Sequence, residues 1–292
     1  MKKTPLKSTV MLILTAAIWG FAFVAQSVAA DTLGAFTFNG VRFILGAVSL
    51  IPIICIFERK DNSSAVFKRT VITGIITGTI LCTASGLQQL GIVITGNASK
   101  TAFITSLYSI FVPIFLIFMG KKTSLTMWIG VICALVGLYL INVADISGFS
   151  LGDIIVLIGA VVWAWHVIAI DKFVGGVKPI QYSAVQFLTC GIESLIIAFM
   201  FEDVAMAPII GAALPILYGG IMSAGVAYTF QVLGQRDADP TYAAIIFATE
   251  PIFAAIGEAL ILGKLLTPIA YMGCGIIFAS VIISQFGGKK QQ

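Results

Sequence analysis

The chain has 292 residues, 59% of them hydrophobic and 10% charged, and its mean hydropathy is +1.06. A soluble domain carries about a quarter charged residues to wet its surface, so this composition excludes one and points to lipid as the solvent. The formal net charge of +4 is spread over short gaps between apolar runs, a pattern of membrane orientation and not of nucleic-acid binding.

A hydrocarbon core about 30 Å thick takes roughly 20 helical residues. Apolar segments of that length recur near residues 8–29, 35–57, 71–92, 97–119, 124–142, 151–173, 180–200, 211–233, 240–262 and 267–286. This predicts an all-α membrane protein of ten transmembrane helices with short connections and no soluble domain. Lys2, Lys3 and Lys7 before the first run, with Ser27-Val28-Ala29 near its end, also suit a signal peptide. The run exceeds the roughly 7–15 residues of a signal core and has an internal counterpart, so it reads as a retained helix. The longest connection, from Glu58 to Thr70, contains Asn62, Ser63 and Ser64 and reads as a cytoplasmic loop.

Orientation follows from Lys and Arg. A cytoplasmic N-terminus puts Lys2, Lys3, Lys7, Arg59, Lys60, Lys68, Arg69, Lys121, Lys122, Lys172, Lys178, Arg236, Lys289 and Lys290 inside. Only Lys100 and Lys264 fall outside, with Arg42 inside a helix. Removing one helix would flip every later loop and destroy this bias. The expectation is a bacterial-type inner-membrane protein with both termini cytoplasmic.

Shifting the chain by about 144 positions aligns it with itself. Trp19-Gly20 meets Trp163-Ala164, Val41-Arg42-Phe43 meets Val185-Gln186-Phe187, and, one residue shorter, Gln88-Gln89-Leu90-Gly91 meets Gln231-Val232-Leu233-Gly234. Gly120-Lys121-Lys122 meets Gly263-Lys264-Leu265, and Gly130 meets Gly273. Two halves, 1–146 and 147–292, each with an odd number of spans, must enter the membrane from opposite sides. That makes two inverted five-helix repeats, an architecture suited to alternating access.

Family-level motifs accompany the repeat: Trp19-Gly20, Asn39-Gly40-Val41-Arg42-Phe43, Lys100 to Leu107 before Val112-Pro113, and Glu250-Pro251. On these the chain resembles the drug/metabolite transporter superfamily, specifically EamA-type ten-helix proteins. The resemblance covers nearly the whole chain and implies export of amino acids and other small metabolites. It departs from the pattern at Lys264, where many members carry Glu, so no acidic function is expected there.

Ionisable groups at membrane depth are costly unless paired or wetted, which makes each a functional candidate. Arg42, Glu193 and Glu250 are the expected substrate or gating charges; a buried Arg–Glu pair that only locks helices is the structural alternative. Pro251 frees the carbonyl of Phe247, and a helix broken in this way suits a cavity wall. His166, the single histidine, suits either a proton relay or a fixed interhelical bond. Gln88, Gln186 and Gln231 suit helix-to-helix bonds or a zwitterion, and Trp19, Tyr108, Trp163 and Tyr228 could surround a substrate.

Gly74 and Gly78 are spaced for close helix approach. Cys55, Cys82, Cys133, Cys190 and Cys274 follow no metal or redox spacing. No metal, cofactor or catalytic residue is expected, and no phosphate loop occurs. The reading is a secondary carrier of a small-molecule solute in a lipid bilayer, with no nucleic-acid partner. A non-transporting receptor or assembly subunit and a passive channel are the alternatives, and a homodimer stays open.

Overall fold

The computed structural model describes residues 4–58, 63–142, 150–263 and 267–286, which form helices joined by short turns with no strand among them. Lys2, Lys3, Arg59, Lys60, Asn62, Lys264, Lys289 and Lys290, and the boundary expected at 146/147, lie outside the described residues.

The helices are α1 (Leu6–Ala30), α2 (Ala35–Ser49), α3 (Ile51–Phe57), α4 (Ser64–Thr95), α5 (Ala98–Ser106), α6 (Tyr108–Phe118) and α7 (Leu125–Asn142). They continue as α8 (Leu151–Phe173), α9 (Pro179–Phe201), α10 (Met206–Gly211) and α11 (Ala213–Leu217), then a π-helix (Tyr218–Tyr228) running into α12 (Thr229–Gln235). The last three are α13 (Pro240–Phe247), α14 (Glu250–Leu262) and α15 (Pro268–Phe286). A lipid-embedded chain must satisfy its backbone internally, which is why helix dominates.

Among the described residues, 8 helical stretches are long and apolar enough to cross a membrane. Several combine consecutive helices, as in Ala35–Phe57 and Pro240–Ile261. The predicted fifth and tenth segments hold shorter apolar helices, Leu125–Leu140 and Pro268–Ser284. One correction concerns the third segment. α4 starts at Ser64, well before residue 71, so Lys68 and Arg69 ride on helix instead of loop. Their long side chains keep their charge in water while the backbone stays helical.

Packing is set where side chains are small. A Cβ on Gly78 would lie 2.7 Å from the carbonyl oxygen of Gln186, and one on Gly74 would lie 2.8 Å from Cβ of Val185, so the expected glycine pair faces α9. α2 also packs on α9, α4 on α8, α7 on α15 and α1 on α14. On the last contact, a Cβ at Gly20 would lie 2.4 Å from Cβ of Phe253 and 2.6 Å from the carbonyl oxygen of Glu250.

Two carboxylates hold the ends of the α2–α9 pair. At one end Glu202, just after α9, accepts the backbone N–H groups of Phe36 (2.9 Å) and Thr37 (2.7 Å) and the Thr37 hydroxyl (2.7 Å). At the other end Glu58, just after α3, accepts the N–H groups of Ile180 (2.9 Å) and Gln181 (2.8 Å). Each acid supplies what the first turn of the opposite helix lacks, donors without intrahelical acceptors and a positive dipole end. Every partner is displaced by 144 positions from its counterpart: Glu58 and Glu202, Phe36 and Ile180, Thr37 and Gln181. Gly34 makes room for the first cap, since a Cβ there would lie 2.3 Å from the Glu202 carboxyl.

Two ion pairs pin α8 at its two ends. Asp153, in its first turn and 1% exposed, meets Lys100 of α5 at 2.8 Å. Asp171, in its last turn, meets Lys121 beyond α6 at 3.0 Å in a more exposed setting.

Candidate functional site

Two interrupted helices meet at the centre of the protein. α5 stops at Ser106 and α6 restarts at Tyr108, with a single tightened turn at Leu107, whose N–H reaches Ile104 O at 3.2 Å. α13 stops at Phe247 and α14 restarts at Glu250, with the Thr249 N–H reaching Ile246 O at 3.0 Å. Pro251 causes the second break by removing the donor that the Phe247 carbonyl would accept. The first residues of the two restarted helices face each other: the Tyr108 hydroxyl donates to Oε1 of Glu250 at 2.8 Å. Glu250 thereby sits at a helix N-terminus, where the backbone dipole favours negative charge.

Arg42 approaches from α2. Its Nε donates to Oδ1 of Asn39 at 2.9 Å, and the Asn39 amide donates to the Ser85 carbonyl at 3.0 Å. The guanidinium lies 4.5 Å from the ring centre of Phe43 and 5.2 Å from that of Phe38. Ring faces attract a cation without neutralising it. Arg42 is 2% exposed and Glu250 3%, yet neither takes part in either described ion pair. The structural alternative of an Arg–Glu lock is therefore absent among the described residues.

An aromatic wall joins these groups. Trp19 lies 4.5 Å from Tyr228, 5.3 Å from Phe247 and 6.2 Å from Trp163, between ring centres. Arg42, Glu250, Tyr108, Trp19, Trp163, Tyr228, Gln88 and Gln231 line one cavity, together with Gln26, Thr105 and Ser223. The room it leaves for centres of water-sized molecules is about 20 Å³, enough for about one water. The indole N–H groups of Trp19 and Trp163, the Thr105 hydroxyl and both amide atoms of Gln231 have no hydrogen-bond partner among the described residues.

Eight of the expected site residues thus converge, and three do not. Glu193 stands away from the cavity, on the outer side of the α4–α9 contact, where its Oε1 accepts the exposed Thr79 hydroxyl at 2.7 Å. Its side chain is half-buried. His166 and Gln186 pair with each other, Nε2 to Oε1 at 3.4 Å, outside the cavity lining. His166 stays close by, edge-on to Trp163 at 5.4 Å.

Gln26 escaped the sequence reading: it is an amide inside the first apolar segment, but no glutamine stands at its 144-residue offset, whereas Gln88 was paired with Gln231 through the repeat. The two amides bond to each other, Nε2 of Gln88 to Oε1 of Gln26, at 3.0 Å. Thr105 and Ser223 left no such signal, because a helical hydroxyl usually satisfies itself on its own backbone. Among the described residues no group of His, Cys, Asp and Glu side chains is arranged to hold a metal ion.

The EamA-like transporter family model matches the chain twice, over residues 6–143 and 150–286. An uncharacterized transporter of Archaeoglobus fulgidus is 28% identical over 276 residues, 93% of this chain and 83% of that protein. The uncharacterized transporter YoaV of Bacillus subtilis is 25% identical over 281 residues, 92% of this chain and 93% of its own. The uncharacterized inner membrane transporter YedA of Escherichia coli is 20% identical over 272 residues, 92% of this chain and 88% of its own. One crystal structure has the same fold, with a TM-score of 0.76 at 15% identity over 95% of this chain and 96% of the other.

Proposed function

This chain belongs to the EamA-like transporter family and is a multi-pass membrane transporter, and from that premise we propose that it exports small zwitterionic metabolites, amino acids among them, by alternating access. The observation that carries the substrate class is the pair of opposite charges, Arg42 and Glu250, facing one cavity without pairing. A lone buried charge costs several kcal/mol. A zwitterion lowers that cost at both ends, its carboxylate meeting the terminal nitrogens of Arg42 and its ammonium meeting Glu250. Tyr108 holds Glu250 in place until the ammonium arrives, and the aromatic wall takes the apolar part of the solute. With room for about one water, the cavity must widen for any such solute, which requires helices to move.

Two observations support the reading of ten spans in two inverted repeats, while the cytoplasmic termini rest on the Lys and Arg distribution alone. The family model matches each half separately. The Glu58 and Glu202 caps repeat at the 144-residue offset and join opposite ends of α2 and α9. Such symmetry lets one fold close toward either face at similar energy.

The test is counterflow in proteoliposomes. Arg42→Gln is expected to raise KM for amino acids about tenfold or more, the scale of one charge-assisted contact, while barely changing transport of the matching amines that lack a carboxylate. Equal loss for both substrate classes would sink the role given to Arg42, and no saturable flux for any zwitterion would sink the function.

A further inference from the structure

Gln231 lies in α12, one turn after Tyr228, and is 0% exposed. Both atoms of its amide, the donor Nε2 and the acceptor Oε1, lack a partner among the described residues, and the side chain lines the cavity. Other glutamines have at least one amide atom engaged, although Oε1 of Gln235 is without a partner among the described residues. Gln235 donates to the Val167 carbonyl at 3.0 Å, and Gln88 donates to Gln26 at 3.0 Å. A buried polar atom left unpaired is costly, and here one side chain carries two.

The internal offset supplies a comparison. Gln88 is the counterpart of Gln231, and its amide is met by another carboxamide, that of Gln26. At the 144-residue offset from Gln26 stands Ile170, a buried hydrocarbon that offers no partner. One half of the protein therefore contains an amide–amide pair, and the other contains only one member of it. An amide presents a donor and an acceptor side by side, so its best complement is a second neutral amide. A carboxylate offers acceptors only and sets one of them against Oε1. A hydrocarbon or thioether leaves both atoms bare.

We propose that the transported solute presents a neutral carboxamide edge to Gln231, so that the carrier selects amide-bearing zwitterions over acidic and apolar ones of the same length. This rests on the reading of Arg42 and Glu250 as the holders of the solute's charged groups. Gln231, which lines the same cavity as Arg42 and Glu250, is then the residue that reads the solute's side chain. A site that hydrogen-bonds a polar group rejects its absence far more strongly than a smooth pocket rejects one extra methylene.

The experiment is calorimetric binding to the purified full chain in nanodiscs, with L-glutamine, L-glutamate and L-methionine. Glutamine is expected to bind about tenfold or more tightly than either of the others. Gln231→Met is expected to bring the glutamine-to-methionine ratio close to one while methionine binding is kept or improved. A ratio unchanged by Gln231→Met overturns the assignment and leaves the zwitterion reading standing. Binding of none of the three overturns both. Gln231→Glu and Gln231→Asn provide the decision should Gln231→Met fail to fold. The first is expected to abolish the preference, and the second, with the amide kept but its reach shortened, to weaken it; a full preference in both variants overturns the assignment.

Discussion

Replacing Glu202 with alanine removes three hydrogen bonds at once, from the N–H groups of Phe36 and Thr37 and from the Thr37 hydroxyl. Loss of a helix N-cap costs about 1 kcal/mol on average, and hydrogen bonds to a charged group carry more than neutral ones. The site is half-buried at the end of a helix, so water takes over some of the released donors. The expected total is about 2–3 kcal/mol, read as a drop of several degrees in thermal unfolding of the purified protein. Glu202→Gln keeps one carbonyl acceptor and should fall between wild type and Glu202→Ala. Glu58→Ala removes the mirrored cap, bonded to Ile180 and Gln181, and should cost a similar amount. The two caps sit at opposite ends of a 23-residue helix, so their losses should add to within about 0.5 kcal/mol. Unchanged unfolding in both single variants would refute the view that these acids hold the pair together. A double variant much milder than the sum would refute their independence.

Gly20→Val should cut transport by about tenfold or more, because its side chain would be driven into Phe253 and the backbone of Glu250; Gly275→Ala, whose Cβ meets nothing within 4 Å, should behave as wild type in the same counterflow assay. Lys100→Met removes the cation paired with Asp153 but leaves the carboxylate bonded to the Ser150 N–H and hydroxyl, at a cost of about 1–2 kcal/mol in thermal unfolding. Asp153→Leu loses both that pair and the capping box with Ser150, so adding Lys100→Met to it should cost little more, and a double variant as unstable as the sum of the two losses would contradict the pairing.

Much of this organisation is readable in the sequence because lipid imposes coarse rules. Segment 151–173 coincides with α8, and segment 267–286 differs from α15 by one residue, since apolar length alone decides such spans. Arg42, Glu250 and the two tryptophans stood out because charge and aromatic size are conspicuous in an apolar background. Glu193 was conspicuous in the same way but does not line the cavity, because depth says nothing about which way a helix face turns. Its angular position depends on how α9 leans on α4, and that is fixed by Gly74 and Gly78 against Val185 and Gln186. The two capping acids were within reach. Glu58 and Glu202 share the offset already found for Trp19 and Trp163, and an acid repeated at helix ends is a capping signal. The π-helix from Tyr218 to Tyr228 was not within reach, since its composition resembles that of any glycine-rich apolar helix.

Under the proposed function, the small size of the central cavity sets the terms on which this protein meets its cargo. A chamber with room for about one water has to be rebuilt around each passenger, and the energy for rebuilding comes from the contacts that the passenger makes. The affinity seen in solution is then the intrinsic affinity scaled down by the fraction of molecules already widened. Modest dissociation constants would therefore be the mark of a carrier that lets go, not of a poorly matched one. A substitution that props the α1–α14 contact open should tighten equilibrium binding while it slows the completed cycle.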